Sequence, residues 1–84
     1  MFLHVTRVSY LQSYELELEF SDGIVKRVDL SRELFGEVFE PLKDISSFSQ
    51  VTLNEETNTI EWPNGADFAP EFLYEIGKEV KQVA

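Results

Sequence analysis

Eighty-four residues with sixteen Asp or Glu against seven Lys or Arg carry a formal charge of −9. The absence of cysteine excludes disulfides, thiolate metal sites and cysteine nucleophiles. The excess of carboxylates also opposes direct nucleic-acid binding, because that affinity comes largely from cations that displace counterions from phosphates.

With 43% hydrophobic residues, among them seven Phe, three Tyr and one Trp, the chain can fill one small core, read as one domain over 1–84. No apolar run is long enough to span a membrane. The start, Met1-Phe2-Leu3-His4, has neither a basic n-region nor a long apolar stretch, so a signal peptide is not expected and a cytoplasmic protein is.

Leu3 to Tyr10 reads as a first strand whose alternation slips, since Leu3 and Val5 share one phase and Val8 and Tyr10 the other. A bulge near Thr6-Arg7 reconciles the halves. His4, the single histidine, has no ligand partner near it in sequence and is read as a structural or surface residue. Tyr14 to Phe20 alternates strictly, with Tyr14, Leu16, Leu18 and Phe20 on one face and Glu15, Glu17 and Glu19 on the other. That is the pattern of an antiparallel strand with one wet face. Ser21-Asp22-Gly23 then turns the chain into Ile24–Leu30. A three-residue loop with Gly23 left-handed pairs Phe20 with Ile24, Leu16 with Val28 and Glu17 with Arg27, whereas a two-residue loop would mix the faces.

Ser31 is expected to cap a helix in which Leu34, Phe35, Val38, Phe39 and Leu42 form an apolar stripe and which Pro41 ends. Gly36 would cost that helix about 1 kcal/mol relative to Ala. Leu42 to Ser47 reads as a loop with room for one short turn, Phe48 to Leu53 as a fourth strand with Val51 and Leu53 inward, and Thr59 to Trp62 as a fifth with Ile60 and Trp62 inward. The polar turn between them lacks the oxygen pattern of a calcium loop. Pro63 cannot extend a ladder, Asn64-Gly65 favours a tight turn, and Pro70 opens a helix to about Lys81 with Leu73, Ile76 and Val80 buried. Lys78 and Lys81 would then face the negative end of its dipole. The fold class is α+β: an antiparallel sheet of about five strands in the order β-β-β-α-β-β-α, with two helices on one face and the glutamates on the other.

Tyr14 to Phe20 with its SDG turn, VDLS at 28–31, VFEPLKD at 38–44, Phe48, EWPNGAD at 61–67 and PEFLY at 70–74 together resemble the domain of unknown function 2442 (DUF2442) family. The match runs from Tyr14 to Tyr74, and its most specific part is the WPNGAD hexad. Asp44-Ile45-Ser46 stands where the family pattern leads one to expect Asp-Pro, and Leu34-Phe35-Gly36 is bulkier than usual. The resemblance implies a small bacterial α+β domain, sometimes fused to a helix-turn-helix and often encoded near another small protein, in an arrangement suggestive of a toxin–antitoxin pair. It carries no catalytic set.

Within the hexad, Trp62 supplies buried area and an indole N–H that needs an acceptor. Asn64-Gly65 supplies a turn, and Asp67 can accept from backbone N–H groups at the start of the last helix. The functional reading of the same corner is a partner-contact patch of Trp62, Asn64 and Asp67. Glu61 and Asp67 would be an acid–base pair only if burial separated their proton affinities, and no serine has a histidine at a suggestive spacing. The expectation is therefore a non-enzyme without catalytic, cofactor or metal residues. It is read as an acidic protein-interaction domain, antitoxin-like, whose partner is a small protein with a basic surface. The alternative is an accessory module of a transcriptional complex that makes no DNA contact of its own. An edge strand unprotected by charge also permits a homodimer.

Overall fold

The computed structural model describes residues 2–80. In chain order its elements are β1 (Val5–Gln12), β2 (Glu15–Phe20), β3 (Val25–Asp29), a 3-10 turn at Glu40–Lys43, α1 (Ile45–Phe48), β4 (Thr52–Asn54), β5 (Thr59–Glu61), α2 (Pro70–Ile76) and β6 (Lys78–Glu79). One antiparallel sheet has the order β1-β2-β3-β6, and β4 and β5 form a separate hairpin.

The expected α+β class with antiparallel strands holds, and so does the register of its centre. Gly23 is left-handed at φ 86°, and its N–H donates to the Phe20 carbonyl at 2.9 Å. Leu16 then lies opposite Val28, and Glu17 opposite Arg27. The bulge anticipated near Thr6-Arg7 falls between Val5 and Arg7, which brings Val5, Val8 and Tyr10 onto the core side. The alternation of β2 leaves Leu16, Leu18 and Phe20 fully buried. They meet Val28 and Leu30, Phe48 from α1, Leu73 from α2, and Ile60 and Trp62 from the β5 side of the hairpin.

Four expectations give way. First, the helix expected from Ser31 to Pro41 does not form. Asp29 Oδ1 accepts from the Ser31 N–H at 2.9 Å, which turns the chain away from a helical start. Gly36 adopts φ 95°, outside the helical region, and its carbonyl accepts from the N–H groups of Phe39 and Glu40 in a local turn. Leu34 and Leu42 still reach the core, but Phe35 is 70% and Val38 43% exposed. A stretch this short is marginal as a helix without tertiary packing, and here packing takes only part of its apolar stripe. Pro41 does not stop a helix; it lies in the first turn of the 3-10 segment, where its missing N–H goes unneeded.

Second, Phe48 belongs to a helix, not to a strand. Asp44 caps α1 by accepting from the Ser47 N–H at 3.3 Å, so β4 begins only at Thr52. Third, α2 ends at Ile76. Gly77 then brings the chain against Lys26, and β6 pairs Lys78 with Arg27 and Glu79 with Lys26; Lys81 lies outside the described residues. Fourth, the sheet does not run on as one layer. β4 and β5 close on each other through the Asn54–Asn58 turn and lie against β1, whose Val5 N–H donates to the Asn58 carbonyl at 2.9 Å.

The outer face of the larger sheet is also more mixed than its three glutamates suggest. Arg7 meets Glu19 at 3.7 Å, Glu17 faces Arg27, and Arg27 faces Lys78.

Candidate partner-contact surface

The Trp62-Pro63-Asn64-Gly65 corner closes β5. Gly65 is left-handed at φ 89°, its N–H donates to the Trp62 carbonyl at 2.9 Å, and the Trp62 N–H donates to the Ala66 carbonyl at 2.9 Å. Trp62 points inward and is 2% exposed. Its indole N–H donates to the Phe48 carbonyl at 2.8 Å, which supplies the acceptor that a buried indole requires. Its ring packs on Phe48 at 5.5 Å and edge-on to Phe68 at 5.9 Å. Thr59, the one buried polar residue among the described core positions, donates its hydroxyl to the Phe68 carbonyl at 2.6 Å.

Asn64 is exposed and uses both ends of its amide. Its Nδ2 donates to the Val38 carbonyl at 2.8 Å, and its Oδ1 accepts from the Ala66 N–H at 3.1 Å. Asp67 is exposed as well, and its backbone forms an isolated bridge with Glu61. It does not cap the last helix: the N-cap is Ala69, which has no side-chain acceptor, and Pro70 occupies the first turn. Glu61 accepts from Asn54 Nδ2 at 2.9 Å. Of the three residues singled out in sequence, Trp62 is thus a core residue, while Asn64 and Asp67 stand where a partner can reach them.

Beside Asn64 opens a groove of about 110 Å³ lined by Pro41, Leu42, Ser47, Gln50, Pro63 and Asn64. Pockets for drug-sized ligands run to roughly 300–1,000 Å³, so this one matches a single side chain in size. The segment that forms one wall also exposes Phe35, Val38 and Ile45 at 70%, 43% and 40%. Sequence periodicity assigns Phe35 and Val38 to a buried stripe. The signal that they are outside is Gly36 between them, which reads as a helix defect until its positive φ is known.

The charge is unevenly spread. Residues 33–75 contain ten of the sixteen carboxylates and a single cation, Lys43. All ten are exposed except Glu33 and Glu61, and Lys43 is engaged by Glu40 at 3.1 Å. The −9 therefore lies on the part of the chain that builds the groove, the hairpin β4–β5 and α2, and not on the alternating strand that first suggests it.

Proton affinities are disturbed elsewhere, at the far end of β2. The Ile24 N–H and then the Tyr74 hydroxyl, both donating to Asp22, hold its carboxyl below the usual carboxylate range, and the same contact with Asp22 raises the Tyr74 phenol. Among the described residues no three His, Cys, Asp or Glu side chains come together as a metal site. His4 is half-buried in the chain leading into β1, where its backbone N–H donates to Ser21 Oγ at 3.0 Å. No described helix is long and apolar enough to cross a membrane.

Nothing among the curated proteins or the solved structures matches this chain. Residues 5–79 match the family described as protein of unknown function (DUF2442), a span that takes in β1 through β6, the corner and the groove. The chain belongs to the DUF2442 family.

Proposed function

We propose that this chain is an acidic protein-interaction domain that binds, and in an antitoxin-like manner neutralises, a small protein with a basic surface. The observation that carries the reading is the charge segregation: ten carboxylates against Lys43 over 33–75, and a near balance on the rest. Concentrated charge of one sign steers an oppositely charged partner and rejects wrong ones, a contribution to rate and specificity more than to raw affinity. The same field repels a phosphate backbone, so any role near nucleic acid would pass through another protein. Binding, not catalysis, also suits the geometry, in which the titratable residues of the corner are exposed or hydrogen-bonded to neighbours and not gathered around a cleft.

The test is co-expression of the tagged chain with the untagged product of the gene beside its own. A 1:1 complex that survives a low-salt wash and dissociates as the Debye length shrinks from about 10 Å at 0.1 M to about 3 Å at 1 M salt supports the reading. Recovery of the chain alone, self-associated at low salt, refutes it.

A further inference from the structure

We infer that the groove between Pro41 and Asn64 seats one apolar side chain of a basic segment from the partner, with the flanking Lys or Arg residues meeting Glu37, Glu40 and Asp44. The inference rests on the reading just given and locates it. Three observations support the place. The groove is lined on its apolar part by Leu42, which is 2% exposed, and by Pro41 and Pro63. Its volume of about 110 Å³ suits an aliphatic side chain. The stretch bearing Pro41 and Leu42 exposes Phe35, Val38 and Ile45, apolar area that a partner docked here would cover.

That stretch is held in place from several sides. Asn64 bonds the Val38 carbonyl, the Tyr14 hydroxyl donates to the Lys43 carbonyl, and Asp44 caps α1. Phe39 stacks on Phe68 at 4.7 Å. The apolar side chains therefore stay outside while their backbone is anchored, so little ordering cost remains at binding. Charge decides the occupant. Glu37, Glu40 and Asp44 alternate with the apolar positions, and Lys43, the one cation of the stretch, is already held by Glu40. A segment with an apolar anchor between cations is complementary to both features, whereas an acidic or purely apolar segment meets only repulsion or half the surface.

The experiment is a titration of the isotopically labelled full chain with two synthetic peptides of equal charge, one alternating leucine and lysine and one of lysine and glycine. The leucine–lysine peptide is expected to shift the amides of Val38, Leu42, Ser47, Gln50 and Asn64 and to bind about tenfold more tightly than its leucine-free counterpart, as burial of one aliphatic side chain allows. Gln50→Arg, at an exposed groove position, should weaken it by about tenfold, and its unchanged amide spectrum away from the groove checks that the chain still folds. If both peptides bind equally and their shifts fall along α2 or the β4–β5 turn, the groove assignment is wrong and the basic-partner reading stands. If neither binds even at low salt, both are wrong.

Discussion

The Tyr74 hydroxyl donates to Asp22 Oδ2 at 2.7 Å, joining α2 to the β2–β3 turn across 52 positions of sequence. The same tyrosine is held from two more sides. Lys26 Nζ lies 3.7 Å from the centre of its ring and donates to its backbone carbonyl at 2.7 Å, and Phe20 meets it edge-on at 4.9 Å. The C-terminal helix is thus locked to the hairpin whose register sets the core.

Tyr74→Phe keeps the ring contacts and removes only the bond to Asp22, so its cost should depend on pH. Asp22 has a folded-state proton affinity below the ordinary carboxylate value of 3.8. Its contribution is therefore complete above that value and is lost as the pH falls through the lowered one. Tyr74 is raised above the ordinary 10.0, so its contribution is complete below pH 10 and is lost as the pH rises through the raised value. Urea unfolding of the wild type and the variant should give a constant difference from about pH 5 to about pH 9 that narrows at both ends. A flat difference across the whole range would show that the bond contributes nothing in solution.

Gly36→Ala separates the helix expected after β3 from the turn that is found. In a helix the substitution would stabilise by about 1 kcal/mol. At φ 95°, with nothing within 4 Å of an added Cβ, the only effect is backbone strain, and the chain should lose about 1 kcal/mol. Thermal or urea unfolding followed by Trp62 fluorescence reads the sign directly.

That contrast also shows what was legible in the sequence. Strict alternation in Tyr14–Phe20 and the three-residue Ser21-Asp22-Gly23 loop determine register by themselves, because slipping either pairing by one residue would turn Leu16 and Leu18 outward. Residues 31–48 were illegible for a different reason. Their apolar spacing fits a helix, but Asp29, Gly36 and Asp44 each take up backbone N–H or C=O groups locally, and which of these competing turns wins depends on contacts with Tyr14, Asn64 and Phe68 that lie far away in sequence. For the same reason the corner was readable as structure while the groove was not. Trp62 announces burial by its size, but the groove needs Pro41 and Pro63 to be neighbours, and no local pattern says so. β6 was hidden because its pairing depends on how closely Gly77 approaches Lys26.

Asn64 has two separable roles, and two substitutions distinguish them. Asn64→Asp keeps an oxygen for the Ala66 N–H and loses the donor to the Val38 carbonyl, whereas Asn64→Ala loses both. Each bond at this exposed site is worth about 0.5–1.5 kcal/mol, so Ala should cost more than Asp. Amide hydrogen exchange should show faster opening around Val38–Glu40 in both variants, with the Gly65–Ala66 turn opening faster only in Ala. Equal costs would mean that the link to Val38 carries all of the effect.

The close passage of Gly77 past β3 gives the last prediction. Its φ of −72° suits any residue, so space alone decides what can stand there. A Cβ there would lie 3.0 Å from the Leu73 carbonyl oxygen and 3.0 Å from Lys26 Cβ. Lys26 cannot withdraw freely, because its ammonium is engaged by Tyr74 and its backbone is paired on both sides, with Leu18 and with Glu79. Gly77→Ala should therefore push β6 off the sheet edge and cost about 1–3 kcal/mol, the range for overpacking a close contact. In NMR spectra the amide of Val80, which donates to the Val25 carbonyl at 2.9 Å, should lose its protection from exchange, while the amides of β2 keep theirs. If the variant is as stable as the parent and Val80 stays protected, the last strand is not held by this close approach.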